Sequence, residues 1–473
     1  MIPVSLSWVT EQVQGQLVAS KDADMIIQGV STDTRTITTN DLFIALVGPN
    51  FDGHKFIQQA MQNGAVAAII SEPLESASGT SEVPCILVED TKLALGQLAA
   101  AVKALIAPKT VAITGSCGKT TVKEMVAAIL SRRGKVLATK GNFNNDIGVP
   151  LTLLRLEQEH EFAVIELGAN HLGEIAYTTN LVKPDVATIV NAAASHLEGF
   201  GSLLGVARAK SEIFKGLADH GLAVLNADSQ FFDFWQGKLR LNNVQTFSLD
   251  GDSDFHAQDV TLGLDGCAQF NLCTPEGQTA VSLSLPGMHN VGNALVAAAL
   301  AIGVGASLQD IKDGLQFMPH VSGRLHVKQL TNQVKILDDT YNANVASVNA
   351  AIALLASFAG RKVLVLGDMA ELGAKARYYH EQVGKYAMEQ GINELYSLGV
   401  LSQSASEVFK EHGKHFSQLE ALVGYLNQQL GSEQRNISIL VKGSRSARME
   451  RVVQALEESP VGKFERHRER IAC

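Results

Sequence analysis

The 473-residue sequence has no excess of positive charge. Its 39 basic and 48 acidic residues leave a formal net charge of −9, so no broad basic surface exists to neutralise a phosphate backbone and no nucleic-acid partner is expected. No run approaches the roughly 18–20 consecutive apolar residues that span a bilayer. The opening MIPVSLSWVTEQVQG has no basic stretch followed by an apolar one, so neither a membrane segment nor a leader is expected. The five cysteines, Cys85, Cys117, Cys267, Cys273 and Cys473, are scattered and odd in number, and no CxxC occurs. This argues against a disulfide framework or a thiolate zinc site and fits free thiols in a reducing cytoplasm. Internal repeats and low-complexity tracts are also missing.

What is present suits a globular α/β protein: 46% hydrophobic, 18% charged, and too long for one core. The chain is organised around TVAITGSCGKTT, residues 110–121. The β-branched and apolar start reads as a buried strand. Gly115, Ser116, Cys117 and Gly118 form a turn, and Lys119 opens a helix. Such a turn cradles phosphate: backbone N–H groups and the helix N-terminus face the anion, Lys119 reaches the terminal phosphates, and a Thr hydroxyl can ligate Mg²⁺. Ile113 stands where the usual pattern has Gly, so the loop is a short variant. A turn that uses glycine only for tightness would not need Lys119-Thr120-Thr121. A nucleoside triphosphate is expected here. Cys117 is either a thiol acidified by the helix terminus or simply a small residue.

Alternating strand-like and helix-like runs predict three domains. Residues 1–84 form a small mixed α/β N-terminal domain, with EPLESASGTSEVP at 72–84 as a linker. Residues 85–319 form a central phosphate-loop domain on a mostly parallel sheet. Period-two segments near 256–285 are expected as antiparallel strands appended to that sheet, and the helix HNVGNALVAAALAIG is expected to close the domain near residue 303. Residues 320–473 restart the rhythm as a Rossmann-like C-terminal domain, and the charged tail FERHRERIAC reads as a solvated end.

Polar residues cluster after predicted strands, where such sheets place ligands. Glu166 follows FAVI and is a natural Mg²⁺ ligand. Taken alone, His196 is as readily structural as functional, Lys210 reads as a solvated helix lysine, and Asp33, Thr34 and Arg35 as a solvated turn or a ligand site. Asn142, Asn144, Asn145 and Asp146 make an amide-rich loop able to orient a phosphate or a sugar. In the third domain three sets end strands on one rim: Asp338, Asp339, Tyr341, Asn342 and Asn344; Gly367, Asp368, Met369 and Glu371; and Lys442, Gly443, Ser444 and Arg445.

Together TGSxGKTT, GNxNNxIGVPLT, ELGANxxGEI, the His196–Lys210 segment, GMHNxxNA, DDTYNAN, GDMxELG and VKGSRxxxME resemble the Mur ligases. STDTR, DLFIALVG and FDGHKF resemble that family's uridine-nucleotide domain, so the similarity spans nearly the whole chain. The DDTYNAN, GDMxELG, VKGSR and ELGANHLGEI segments look most like the member that joins D-alanyl-D-alanine to UDP-N-acetylmuramoyl-tripeptide. The Asp-Asn-Pro-Arg motif of the diaminopimelate-adding relative is missing, and Val345 replaces the family's usual Pro.

The resemblance implies ATP and Mg²⁺ as cofactors. Gly115, Ser116, Cys117, Gly118, Lys119, Thr120 and Thr121 would hold the phosphates, with Asn293, Arg324 and Asp339 also at ATP. Thr120 and Glu166 would serve one Mg²⁺, and His196 and Lys210 a second, Lys210 as its CO₂ adduct. Lys119, His196 and Lys210 would be catalytic. Thr34 and Arg35 would bind UDP, Asn142, Asn144 and Asn145 the muramoyl-peptide, and Asn344, Lys442 and Arg445 the joining site. A cytoplasmic monomer is expected. Other ligases of the superfamily, such as folylpolyglutamate synthase, are the near alternatives. A phosphate-loop switch protein and a non-catalytic nucleotide-sugar binder are the distant ones.

Overall fold

The computed structural model describes residues 1–18, 22–73, 83–239, 243–318, 323–431 and 435–459. Most of the 72–84 linker, the 319/320 boundary and the 460–473 tail with Cys473 lie outside them. Among the described residues no helix is long and apolar enough to cross a membrane.

The N-terminal sheet has the order Gln16–Val18, Cys85–Leu87, Ala65–Ile70, Asp41–Ile44, Gly29–Ser31, parallel except for the first pair. Because Cys85–Leu87 pairs with Ala68–Ile70, a division at 84/85 cuts this sheet, and the sheet ends at Leu87. The next helix, Thr91–Ile106, starts at the Asp90 cap, whose carboxylate accepts from Lys92 and Leu93 N–H. Its apolar residues belong to one continuous core with Leu42, Ile44 and Ile69 on one side and Ala163 and Ile165 of the central sheet on the other. One helix therefore ties the first two sheets together.

The central sheet is six parallel strands, ordered Lys135–Ala138, His160–Glu166, Lys109–Thr114, Val186–Ile189, Leu222–Asn226, Val244–Phe247. Its middle strands are buried on both faces, which is why they read as unbroken apolar runs. Alternate side chains serve opposite layers: Val111 and Ile113 pack with the phosphate-loop helix Lys119–Leu130, and Ala112 belongs to the opposite layer with Ile175 and Val182 of the helix Glu174–Val182. All carboxyl ends meet on one edge, so Thr114, Glu166 and Ile189 open onto the same rim.

The period-two segments are strands, His256–Leu262, Cys267–Thr274 and Gly277–Pro286, but they form their own antiparallel sheet rather than an extension of the parallel one. Among the described residues one isolated bridge, Phe247 to Phe255, links the two. Its inner face, with Phe270, Leu272, Val281 and Leu283, packs on the helices instead. The helix Met288–Gly303 is present, but it does not close the domain: Leu308–Gln316 follows it, started by a Ser307–Asp310 capping box. The third domain is a six-stranded sheet, parallel except at His326–Gln329, ordered His326–Gln329, Val334–Asp339, Ile437–Lys442, Arg361–Gly367, Glu394–Leu398, Gly413–Phe416.

The phosphate-loop helix is held from behind by Leu308–Gln316, where a Cβ at Gly314 would lie 2.5 Å from Ile129 Cα. Gly314→Val should therefore force the helices apart and destabilise the central domain by about 1–3 kcal/mol. A lowered thermal unfolding midpoint is expected, and an unchanged midpoint would contradict the close approach.

Candidate active site

The phosphate loop leaves the buried strand at Thr114 and re-enters helix at Lys119. Gly118 caps the helix with φ +79, a left-handed conformation that favours glycine, and a Cβ there would stand 2.7 Å from Asn293 Oδ1. Two constraints select the same residue. Asn293 is buried on Met288–Gly303 and donates to Asn290 Oδ1 at 2.8 Å, so its carbonyl oxygen is aimed at the loop. The neighbouring strand end holds the turn: Asn191 Oδ1 accepts from Cys117 N–H (2.9 Å) and its Nδ2 donates to Cys117 O (3.1 Å). Ser116 Oγ bridges Ala193 and Ser195.

Lys119 is half-buried and donates to Gly115 O at 2.7 Å, folded back on its own loop. Burial lowers its pKa, opposed by the Glu166 carboxylate. Thr120 donates to Glu166 Oε2 at 2.9 Å, and Asn144 Nδ2 donates to Glu166 Oε1 at 2.8 Å. Glu166 is 2% exposed, a buried carboxylate with both oxygens engaged. Thr121 sits half-buried beside Thr120.

The third domain reaches into this site. Arg324 Nη2 donates to Thr120 Oγ1 at 3.1 Å, its guanidinium lies 4.2 Å over the Tyr341 ring, and its Nε is buried without a hydrogen-bond partner. A buried, unpaired guanidinium N–H beside a phosphate loop is a donor lacking its anion. Asn344 caps the helix Val345–Ser357 and also grips the loop: Nδ2 donates to Ser116 O at 3.3 Å, and Oδ1 accepts from Cys117 Sγ at 3.1 Å. Asn344, expected at the peptide-joining site, is thus seated on the nucleotide loop. Asp339 is buried in an ion pair with Lys442, whose Nζ also donates to Asn342 O at 2.9 Å. Arg445 is exposed, paired with Glu450 at 3.2 Å.

Lys210 is not a solvated helix lysine. It is 2% exposed, and burial, aided by the Lys119 ammonium, pulls it down to about 7. Much of it is therefore a neutral amine near neutral pH, which an exposed lysine is not. His196 caps Leu197–Phe200 with φ +50 and pairs through Nδ1 with Glu371 of the third domain. Among the described residues no three His, Cys, Asp or Glu side chains gather as a metal site. Thr120 and Glu166 do place two oxygen donors together, the ligand type Mg²⁺ takes.

Several expected residues stand apart. Arg35 forms a bidentate, exposed pair with Asp33 and holds that carboxyl down to about 2. Thr34 contributes its backbone O to Asn63 Nδ2 at 2.7 Å. Asn142 is exposed, and Asn145 Oδ1 caps the helix Gly148–Leu153 through Gly148 N–H at 2.8 Å. Of the rim residues, Asp338 pairs with Lys328 at 3.3 Å, and Asp368 gathers the N–H groups of Val400, Leu401 and Ser402. Both shape loops. Asn191 and His289 carry no local signal of a role, although His289 lies in the GMHN segment at 287–290. Shielding from solvent pulls His289 down to about 4, with the Asp339 carboxylate opposing and the Lys442 ammonium adding to the shift, so it is neutral.

Three family models match the chain: Mur ligase family, catalytic domain, at residues 26–103; Mur ligase middle domain at 113–301; and Mur ligase, glutamate ligase domain, at 323–445. The UDP-N-acetylmuramoyl-tripeptide–D-alanyl-D-alanine ligase of Escherichia coli K12 is 49% identical over 97% of this chain and 99% of its own. The Bacillus subtilis ligase of that name is 33% identical over 98% and 100%. A crystal structure of MurF from Acinetobacter baumannii superposes with a TM-score of 0.91 at 37% identity, covering 97% of this chain and 99% of that one. MurF of Thermotoga maritima in complex with ADP gives 0.81 at 28% identity over 92% and 98%. The chain belongs to the Mur ligase family.

Proposed function

We propose that this chain joins D-alanyl-D-alanine to UDP-N-acetylmuramoyl-tripeptide at the expense of ATP, in the cytoplasmic synthesis of peptidoglycan precursors. The observation that carries the reading is a phosphate loop completed by another domain, with Arg324 on Thr120 and Asn344 on Ser116 and Cys117. A simple hydrolase or switch needs no such second body. A ligase does, because it must bring a third substrate to an activated group and keep water away. Full-length relatives named for this reaction and an ADP-bound structural neighbour support the same conclusion.

In this account the N-terminal domain holds the uridine nucleotide around Thr34 and Arg35, the central domain holds ATP, and the third domain carries the dipeptide. The tripeptide carboxylate attacks the γ-phosphorus: an O–P bond forms, the bond to the β-phosphate oxygen breaks, and ADP leaves. The dipeptide amine then attacks the acyl carbon, loses a proton, and inorganic phosphate departs as the C–N bond forms. Lys119 swings from Gly115 O to the terminal phosphates, the loop amides bind their oxygens, and Arg324 supplies its unpaired N–H. Asn293 is read as the adenine-side amide, and Asp339 as an ATP contact from the third domain, held in place by Lys442. Asn144 and its neighbours Asn142 and Asn145 border the muramoyl-peptide, and Arg445 the incoming dipeptide.

Thr120 and Glu166 fit one Mg²⁺, which when bound neutralises phosphate charge. His196 and Lys210 fit a second only if Lys210 becomes an oxygen donor, since an ammonium has no lone pair. The neutral amine that burial produces at Lys210 is the form that adds CO₂.

ADP production should require both UDP-N-acetylmuramoyl-tripeptide and D-alanyl-D-alanine, and mass spectrometry of the product from a mixture of candidate amines should find the dipeptide joined. Robust ADP release with no amine present would refute the ligase reading. A second expectation concerns Lys210. With the folded pKa near 7 and the unfolded value near 10.5, the folded state binds fewer protons in between, so stability rises with pH across that window. In CO₂-free buffer, Lys210→Met should therefore raise the unfolding midpoint most at or below pH 7, and the gain should shrink toward pH 10. A gain independent of pH would show that Lys210 is not desolvated.

A further inference from the structure

The sequence places His196 and Glu371 in different domains, and neither neighbourhood hints at the other. In the fold the loop after Arg361–Gly367 lies directly on the loop after Val186–Ile189. Two contacts join them at one point: the Glu371 carboxylate meets His196 Nδ1, and Leu197 N–H donates to Glu371 O at 3.1 Å. Both residues are non-glycines in the left-handed region, His196 at φ +50 and Glu371 at φ +62. That conformation is disfavoured and persists only where the surroundings hold it, which happens most at functional sites. The Phe200 ring closes another side of the imidazole, edge-on at 6.3 Å and 81°. Nδ1 is buried and no group reaches it in aligned hydrogen-bond geometry, so the carboxylate is the partner that faces it. Glu371 itself is half-exposed, its side chain 50% accessible, and it fills no core position.

We propose that Glu371 is the positioning residue of His196: by holding Nδ1 it fixes the ring orientation and the Nδ1–H tautomer, so His196 is set for reaction only while the third domain is closed on the central one. A carboxylate on the far nitrogen of a working histidine does this in many active sites, and removing it costs about 10–100-fold in affinity or activity. The inference rests on the reading of His196 as a reaction-centre residue. It adds a second link between closure and chemistry, independent of the Arg324 and Asn344 contacts on the phosphate loop.

The test uses Glu371→Ala, Glu371→Gln, His196→Ala and the double variant of the full chain. Two readouts are needed: steady-state kinetics, and nitrogen NMR of histidine-labelled protein with the His196 signal assigned by its loss in His196→Ala. Glu371→Ala should lower kcat by about 10–100-fold with KM for ATP changed less than about twofold, and should abolish the uniform Nδ1–H state. Glu371→Gln, whose carbonyl oxygen can still accept from Nδ1, should keep most of both. In the His196→Ala background, Glu371→Ala should cause no further loss. Unchanged kcat and tautomer in Glu371→Ala, beside an impaired His196→Ala, would overturn the proposal while leaving the function intact. Additive losses in the double variant would overturn it as well, by giving Glu371 another partner. If His196→Ala is fully active, the reading of His196 fails instead, and the tautomer in Glu371→Ala alone decides whether Glu371 orients the ring.

Discussion

One oxygen atom, Thr120 Oγ1, is where the central sheet, the phosphate-loop helix and the third domain meet. It donates to Glu166 at the end of a central strand and accepts from Arg324 at the start of the third domain. The hydroxyl is in place because Gly118 can adopt a left-handed turn and because the strand beneath it is buried on both faces. Glu166 in turn orders Asn144, and Thr139 Oγ1 accepts the Glu166 N–H, so two further loops take their position from the same carboxylate residue. A buried carboxylate with both oxygens engaged is stable only as a complete set. Removing one partner would loosen the rest.

Around the phosphate loop no hydrophobic cluster joins the described residues of the third domain to those of the central one. The third domain touches through named polar contacts, Arg324 to Thr120, Asn344 to Ser116 and Cys117, and Glu371 to His196. Small polar contacts of this kind each contribute on the order of 1 kcal/mol. They can therefore be made and broken in each turnover, as a reaction with three substrates and an intermediate sensitive to water requires.

Much of the fold could be read from the residues because parallel strands announce themselves as apolar runs and deliver their polar ends to one rim. The phosphate loop, Glu166 and the strand-end clusters of the third domain follow from that rule. What escaped has physical causes. Edge strands such as Val244–Phe247 and Gly413–Phe416 are too short to carry a pattern. Asp338 and Asp368 had the residue type of a site, but their side chains are consumed by an ion pair and by a loop. Lys210 was misleading in the other direction, because a lone lysine in a helix gives no sign of being desolvated. Asn344 and Glu371 are set by how two sheets face each other, which no local pattern records.

The central claim is that the γ-phosphate passes to a peptide carboxylate before the amide forms. Tripeptide substrate labelled with oxygen-18 in its terminal carboxylate tests this directly. One labelled oxygen should appear in the inorganic phosphate for each amide bond made. Phosphate free of label, with product forming normally, would contradict the acyl phosphate and, with it, a transfer of the γ-phosphate from the loop at residues 115–121 to the peptide.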